Sequence, residues 1–392
     1  MAGLPRTGPT QLCLGLPEEI FGLEILVRLP SKDLARCRTV CRAWCRVASA
    51  RDLLLAHHRR QPSLALLLLT KHENTSGGDL HAFEHRTTAA GEARLQPVAR
   101  IEDFTVITVE ASCDGLLLLS VCTLLPSLRR DLVICNPTTR QIGRVPEKIH
   151  GFKASGLYRH PPTGEYRLLL HKRSTELYGV KQPCYVFALG CSQRQPRCIG
   201  RPPELAGFFH GPAMVRGSLH WSWWPNPLKD QTQKKVTVFD TTAESFRLIR
   251  SPDVQIGRAH LYEADDTIGM YSSNDIMSAV DIWVMQDYDS EVWSHKYHVQ
   301  LQAPLASIMA HQTRNVMVLQ EERDVFLLYN FGQTLFLADT ERKLLTVSRL
   351  DGHIVFLGNH RIKESIVRHS FFSVLQGASD DWSFFSWLKR GA

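Results

Sequence analysis

The sequence predicts an α+β protein with a small three-helix domain followed by an all-β, propeller-like domain of about six blades. Apolar residues recur at helical spacing through the first sixty residues. Beyond Arg60, short runs rich in Val, Ile, Leu, Phe and Tyr alternate with turn residues. One such unit recurs about every 46 to 53 residues, as propeller blades do. We place the two domains at residues 12–60 and 63–392 of the 392-residue chain.

Three short helices are predicted before residue 60. The run Leu16-Pro17-Glu18-Glu19 begins the first, because proline suits the first helical position and the glutamates complement the helix dipole. Pro30 ends this helix, and Ser31 is a suitable N-cap for a second helix that runs to Trp44. A third helix covers residues 51–57. A domain of this size forms only a marginal core, yet it carries apolar residues on more than one face, which indicates a protein partner.

These residues form a pattern that resembles the F-box motif. The matching residues are Leu16-Pro17-Glu18-Glu19-Ile20, Ile25-Leu26-Val27-Arg28-Leu29-Pro30, Leu34, Arg36, Arg38, Val40-Cys41-Arg42 and Trp44. The match fixes about a dozen positions, so it is more specific than a short regular expression.

The resemblance implies that this domain binds the Skp-type adaptor protein of a cullin-based, SCF-type ubiquitin ligase. Members of the family hold a target near the ubiquitin-conjugating machinery and do no bond chemistry, so we expect a substrate receptor and not an enzyme. The implied adaptor-binding residues are Leu16, Pro17, Ile20, Ile25, Leu26, Leu29, Pro30, Leu34, Val40, Cys41 and Trp44. The last three are expected to divide between the helical core and the interface.

The repeated β unit consists of an apolar strand, a polar turn and a second strand. Its six copies begin at Leu80, Val133, Tyr185, Val236, Ile282 and Leu335. A propeller must close its ring, and residues 64–69 are placed to pair with the C-terminal blade. The aromatic tail at residues 371–387 is expected to pack on the last blade. A pair of β-sandwiches is the alternative fold.

Four stretches of this region resemble the domain that follows the F-box in plant F-box proteins. They are Asp114-Gly115-Leu116, Cys135-Asn136-Pro137-Thr138-Thr139-Arg140, Gly217-Ser218-Leu219-His220-Trp221 and Phe239-Asp240-Thr241-Thr242. The resemblance implies a kelch-like propeller that binds a protein target, whose identity the sequence does not give. Trp221, Trp223 and Trp224 are candidates for the target-binding surface, because Trp is common in binding hot spots. Packing of these indoles inside a blade is the interpretation that we favour over a binding surface.

No sequence motif indicates catalysis, a cofactor or a metal. The chain has no Gly-x-x-x-x-Gly-Lys-Ser/Thr, Gly-x-Gly-x-x-Gly, His-Glu-x-x-His or Gly-x-Ser-x-Gly pattern. Cys37, Cys41 and Cys45 recur every fourth residue along one predicted helix face, without the second ligand pair of a structural zinc site. An enzyme with its site in the central channel of the propeller is an alternative function.

Charge and composition favour a cytoplasmic or nuclear protein. The chain has a net charge of +7, no apolar run of the roughly 18 residues that span a bilayer, and no signal peptide pattern. The excess of Lys and Arg is concentrated before residue 62, so nucleic-acid binding by the N-terminus is a third function to weigh. We rank it last, because the basic residues are interleaved with the F-box pattern.

Overall fold

The fold is taken from a computed structural model of the chain. The residues that the structure describes are 20–71, 77–85, 94–102, 106–123, 129–146, 149, 151–172, 182–190, 195–203, 211–222, 235–254, 258–274, 277–301, 314–321, 324–341, 343–375 and 385–388. Among them, no helix is long and apolar enough to cross a membrane.

The N-terminal region, called the helical domain below, consists of short helices. A π-helical turn at Phe21–Ile25 and a 3-10 turn at Leu26–Arg28 precede α1 (Ser31–Cys37), α2 (Arg42–Ser49) and α3 (Arg51–Arg60). The predicted helix from Ser31 to Trp44 is wrong, because Cys41 has an extended backbone that separates α1 from α2. Arg38, in the turn between them, donates from Nε to the Ala48 carbonyl at 3.1 Å. The three cysteines therefore do not share one helix.

The core of the helical domain is shared with a later segment of the chain. Phe21 packs on Trp44 with ring centroids 4.5 Å apart. Ile366 and Val367, from the segment after the last long strand, pack into the same core. The other buried members are Leu26, Leu34, Val47, Ala48, Leu53 and Leu54.

The rest of the described chain forms six antiparallel sheets. The first sheet, blade 1, contains β1 (Leu64–Lys71), β2 (Gly77–Glu84), β3 (Arg94–Glu102), β24 (His353–Ile362) and β25 (Phe385–Trp387). Its strand order is β24-β1-β2-β3-β25, and the other five sheets each contain four strands consecutive in sequence. Blade 2 contains β4 (Val106–Cys113), β5 (Leu116–Thr123), β6 (Arg129–Asn136) and β7 (Gln141–Arg144). Blade 3 contains β8 (Phe152–Arg159), β9 (Tyr166–Lys172), β10 (Cys184–Ala188) and β11 (Arg197–Gly200).

Blades 4 to 6 repeat this arrangement. Blade 4 contains β12 (Ala213–Val215), β13 (Ser218–Trp221), β14 (Lys235–Asp240) and β15 (Ser245–Arg250). Blade 5 contains β16 (Arg258–Ala264), β17 (Thr267–Ser273), β18 (Ala279–Asp287) and β19 (Val292–Gln300). Blade 6 contains β20 (Arg314–Glu321), β21 (Asp324–Phe331), β22 (Thr334–Asp339) and β23 (Leu344–Arg349).

The two ends of the sheet region pair to close the ring. Strand β1 pairs with the C-terminal strand β24, with Leu68 opposite Phe356. Strand β24 also contacts β4 of blade 2 and β20 of blade 6, its neighbours on either side. This closure confirms the six-bladed propeller, so the alternative of two sandwiches is wrong. Residues 64–69 pair with a C-terminal strand, but they do so within blade 1, so the prediction that they pair with the C-terminal blade is wrong in that detail.

The repeated unit found in the sequence marks the same strand of every blade. Its six copies fall on β2, β6, β10, β14, β18 and β22, each third in its sheet. The turn after this strand is stabilised in the same way in blades 4 and 5. Asp240 and Asp287 each accept two hydrogen bonds from the main-chain N–H groups of the turn residues that follow them. Four residues later, Glu244 and Glu291 have the left-handed backbone that completes these four-residue loops.

The C-terminal tail does not pack where we expected it. Helix α4 (Phe371–Leu375) packs into the core shared by blades 2 and 3, and Leu375 lies against Gly143 of β7. Strand β25 instead extends blade 1 by pairing with β3. Burial of Phe371 and Phe372 in this core accounts for the position of α4, since neither side chain is more than 7% exposed.

Candidate adaptor-binding surface and central channel

The helical domain exposes apolar side chains that its own core does not need. Ile20, Leu23, Ile25 and Val40 are 49%, 51%, 42% and 61% exposed, and we call these four residues the exposed apolar surface. They alternate with Phe21, Leu26 and Val27, which are at most 2% exposed and face the core. The short helical turns at 21–28 therefore have one buried face and one apolar face open to solvent.

The residues predicted to bind an adaptor divide between these two faces. Ile20, Ile25, Pro30 and Val40 are exposed. Leu29, Cys41 and Trp44 are partly buried, and Leu26 and Leu34 lie inside the helical core at 1% and 0% exposure. The last two can support an interface only by holding the helices in place. Leu16 and Pro17 lie outside the described residues.

Leu23 was missing from the predicted set although its exposure resembles that of Ile20. Its signal in the sequence is an apolar residue three positions after Ile20, which puts both on one side of a helical turn. Leu23 does not belong to the residues that carry the resemblance to the F-box motif.

A buried histidine holds the end of the first helical segment. His57 is 0% exposed, and its Nε2 lies 2.8 Å from the Leu29 carbonyl oxygen, to which it donates in the neutral form. Burial lowers the pKa of His57, and the hydrogen bond to Leu29 only partly opposes this. The neutral ring thus fixes the Leu29–Pro30 corner beside the exposed apolar surface.

Residues 363–369, called the strap below, join the helical domain to the propeller. Asn136 of β6 is 0% exposed, and its Nδ2 donates to the carbonyls of Ser365 at 3.0 Å and Val367 at 3.3 Å. Its Oδ1 accepts the main-chain N–H groups of Thr138 and Thr139 at 3.0 and 3.2 Å. All four hydrogen-bonding positions of this amide are therefore used. This explains the Cys135-Asn136-Pro137-Thr138-Thr139 run in the sequence.

A second contact ties α3 to blade 2. His58 Nδ1 lies 2.8 Å from the Glu364 carbonyl oxygen, and its Nε2 lies 3.7 Å from Asp114 Oδ1. Tyr166 donates from its hydroxyl to Asp114 Oδ2 at 3.0 Å. Burial disfavours ionisation of Asp114, but the bonds from His58 and Tyr166 outweigh it and lower its pKa. Asp114 thus remains a charged anchor between the two domains.

The central channel holds a pocket at the end that faces α3. Its volume is about 410 Å³, and it is lined by inner strands of blades 1, 2, 4, 5 and 6 together with His58 and Arg59. Convergent polar groups in the channel are what the alternative of a channel-site enzyme requires. The thiol in this lining is Cys113, whose pKa burial raises well above its usual value, with Asp114 adding to the rise. A raised pKa is the opposite of what an activated nucleophile needs.

Trp221 is buried, so its placement among the candidates for a target-binding surface is wrong. Its side chain is 1% exposed and packs with Tyr158, Leu169 and Phe239 between blades 3 and 4. The pleat of β13 turns this indole inward, so it stabilises the blades and has no surface to offer a target. Trp223 and Trp224 lie outside the described residues.

A domain of short helices with a solvent-facing apolar surface, attached to a six-bladed propeller, defines a protein of the F-box and propeller class. Comparison with known families supports this. The F-box associated beta propeller domain family matches residues 67–351, and the F-box-like family matches residues 13–60. The chain belongs to the family of proteins with an F-box associated beta propeller domain. The family resemblance and the fold class predicted from the sequence are therefore confirmed.

Plant F-box proteins are similar to this chain. F-box protein At5g10340 of Arabidopsis thaliana is 24% identical over 323 residues, which cover 73% of this chain and 69% of that protein. F-box protein At5g49610 of the same organism is 24% identical over 308 residues, covering 71% of this chain and 77% of that protein.

Proposed function

We propose that this protein is a substrate receptor of a cullin-based ubiquitin ligase. Its helical domain binds a Skp-type adaptor, through which it joins the cullin, and its propeller binds the protein to be modified. F-box proteins with propeller domains are generally non-catalytic adaptors, and we propose the same for this chain. It acts in the cytoplasm or the nucleus, where the adaptor and cullin have to be present.

The observation that supports this proposal best is the exposed apolar surface. Monomeric proteins rarely leave several large aliphatic side chains together in solvent on a domain of this size unless a partner covers them. Ile20, Leu23, Ile25 and Val40 belong to the F-box-like segment and remain 42–61% exposed beside a filled core. The propeller does not cover them in the described part of the chain, so they remain available to a second protein.

The strap supports the second half of the proposal. A receptor works by holding its target at a fixed position relative to the adaptor. Here the strap packs Ile366 and Val367 into the helical core and is hydrogen-bonded to Asn136 of blade 2. These two attachments fix the orientation of the propeller relative to the helical domain when the chain is folded.

The experiment is an affinity measurement between the full chain and a purified plant Skp-type adaptor. Ile20→Asp and Val40→Asp each place a charge in the exposed apolar surface, and we expect each to weaken binding by about tenfold or more. Val292→Asp is the matched control, because Val292 is 50% exposed on β19 of the propeller. Its affinity for the adaptor should equal that of the wild type. Equal affinity of Ile20→Asp, Val40→Asp and the wild-type chain contradicts the proposed binding surface.

A further inference from the structure

We propose that the pocket at the α3 end of the channel binds a small organic anion that also carries a hydroxyl group. Its volume of about 410 Å³ lies within the range of about 300–1,000 Å³ typical of small-molecule sites. The lining is partly apolar, from Leu261, Met317 and Val318, and partly charged. Such a lining can bury a carbon skeleton and bind a few polar groups at defined positions.

The charge of the lining favours an anion. Arg59, Arg361 and Lys363 face two carboxylates, Asp114 and Glu263. Asp114 already accepts a hydrogen bond from Tyr166 and lies beside His58, so its charge is engaged by the protein. Three cationic side chains therefore line the pocket, while Glu263 is the one of these two carboxylates whose charge the protein does not already engage. This excess of positive charge favours a negatively charged ligand.

Two opposite charges in the pocket lack a direct partner. In the described part of the chain, neither the Lys363 ammonium nor the Glu263 carboxylate has a hydrogen bond or an ion pair, although both line the pocket. The channel walls reduce the hydration of Glu263 and raise its pKa, while Lys363 and Arg361 oppose the rise. The charge of Lys363 thus affects Glu263 electrostatically, although no hydrogen bond joins the two groups. A ligand with an anionic group for Lys363 and a hydrogen-bond donor for Glu263 would satisfy both.

The site is held in shape by contacts across the channel. The His360 ring of blade 1 lies against Gly211, next to β12 of the opposite blade, where a Cβ would collide with it. Asn359 accepts a hydrogen bond from the Tyr271 hydroxyl at 2.9 Å, and its amide lies 2.8 Å from His260 Nδ1. Arg361 donates to the Ser63 carbonyl at 2.9 Å, so its guanidinium is already oriented. The ligand therefore meets a wall that is already ordered at Asn359, His360 and Arg361.

Titration calorimetry on the full chain with three probes tests the site. Malate and succinate differ only by one hydroxyl, and glycerol 3-phosphate carries its hydroxyls beside a phosphate and has no carboxylate. We expect malate or glycerol 3-phosphate to bind with a Kd below about 1 mM. If malate binds, the anionic group of the ligand is a carboxylate. If glycerol 3-phosphate binds, it is a phosphate. Succinate should bind more weakly than malate, because it lacks the donor for Glu263.

Two variants and one control locate the binding. Lys363→Ala should weaken the anion by about tenfold or more, and Glu263→Ala should remove the advantage of malate over succinate, or weaken glycerol 3-phosphate. Lys296→Ala is the control, because Lys296 is an exposed lysine of β19 far from the channel, and it should bind like the wild type. The proposal is overturned if neither malate nor glycerol 3-phosphate binds with a Kd below about 1 mM, or if Lys363→Ala binds as tightly as the wild type. Adaptor binding plays no part in this measurement.

Discussion

The side-chain amide of Asn136 donates a hydrogen bond to the carbonyl of Ser365, a residue 229 positions later in the chain. One amide of blade 2 thereby fixes the strap that enters the core of the helical domain. The relationship links the two halves of the proposed receptor, because the strap is the segment through which a movement of one domain would be transmitted to the other.

Removing this amide should destabilise the chain. Asn136→Ala leaves the buried carbonyls of Ser365 and Val367 without their donor, and we expect a loss of about 1–3 kcal/mol in the free energy of unfolding. Asn274→Ala removes two partly buried bonds, one donated to the Ser278 hydroxyl and one accepted from the Ser278 N–H, and should cost less than Asn136→Ala because water can replace these bonds. Urea denaturation measures both. Equal losses in the two variants would contradict the role given to Asn136.

Gly115 is required by the close approach of the strap. It has φ +81°, and a Cβ there would collide with the side chain of Ser365 and approach the Lys363 carbonyl. Gly217 has a similar φ of +70° with no atom near its Cβ position. Gly115→Ala should therefore lose more stability than Gly217→Ala, which carries only the backbone strain of about 1 kcal/mol. Thermal unfolding compares the two variants, and an equal loss would mean that the strap can move aside freely.

Acid should destabilise the propeller through His220. This ring is 0% exposed, donates from Nδ1 to the Ser218 carbonyl at 3.0 Å, and accepts at Nε2 from the Tyr288 hydroxyl at 2.7 Å. Arg247 in turn donates to the Tyr288 oxygen at 2.8 Å, so a protonated Nε2 would leave Tyr288 without an acceptor. Burial lowers the pKa of His220 to about 4, and the main-chain bonds only partly oppose this.

The sign of the effect follows from the two pKa values of His220. The unfolded chain, with a pKa near 6.5, binds the proton more readily than the folded chain, so stability falls as the pH drops from 6.5 to 4. The loss should reach about 3 kcal/mol. His220→Asn keeps a donor for Ser218 without titrating, and its stability should depend less on pH over this range.

Substitutions at two neighbouring residues of the first helical segment should affect stability and adaptor binding differently. Leu26 is 1% exposed and Ile25 is 42% exposed. Leu26→Ala should lower the free energy of unfolding by about 2–5 kcal/mol, since it leaves a cavity in the core. Ile25→Ala should change it by about 0.5 kcal/mol or less, while weakening adaptor binding. Denaturation and affinity measurements on both variants check this, and a larger loss of stability for Ile25→Ala would contradict the assignment of the two faces.

Local patterns in the sequence were sufficient to predict the propeller. The repeated unit combines an apolar strand with an Asx turn, and both are properties of adjacent residues. Pro30 marks the boundary before α1, but the predicted N-cap at Ser31 is wrong: Pro30 is the N-cap, and Ser31 is the first residue of the helix. The break at Cys41 was missed because Val40 and Cys41 continue the apolar period and no Gly or Pro interrupts it.

The joint between the domains could not be predicted, since it depends on contacts between distant parts of the chain. Asn136 looked like an ordinary turn residue, and nothing near Ser365 indicates that the two are hydrogen-bonded. The burial of Trp221 follows from which face of β13 meets blade 3, and this depends on how adjacent blades pack. The boundaries at residues 12–60 and 63–392 stay predictions, although α3 ends at Arg60 and β1 begins at Leu64.

Hydrogen–deuterium exchange of the full chain, with and without a Skp-type adaptor, tests the central claim most directly. The account predicts that the adaptor slows exchange at residues 20–28 and in the turn around Val40, and leaves the outer strands of blades 2 to 6 unchanged. Protection confined to the propeller, with unchanged exchange at 20–28, would contradict it.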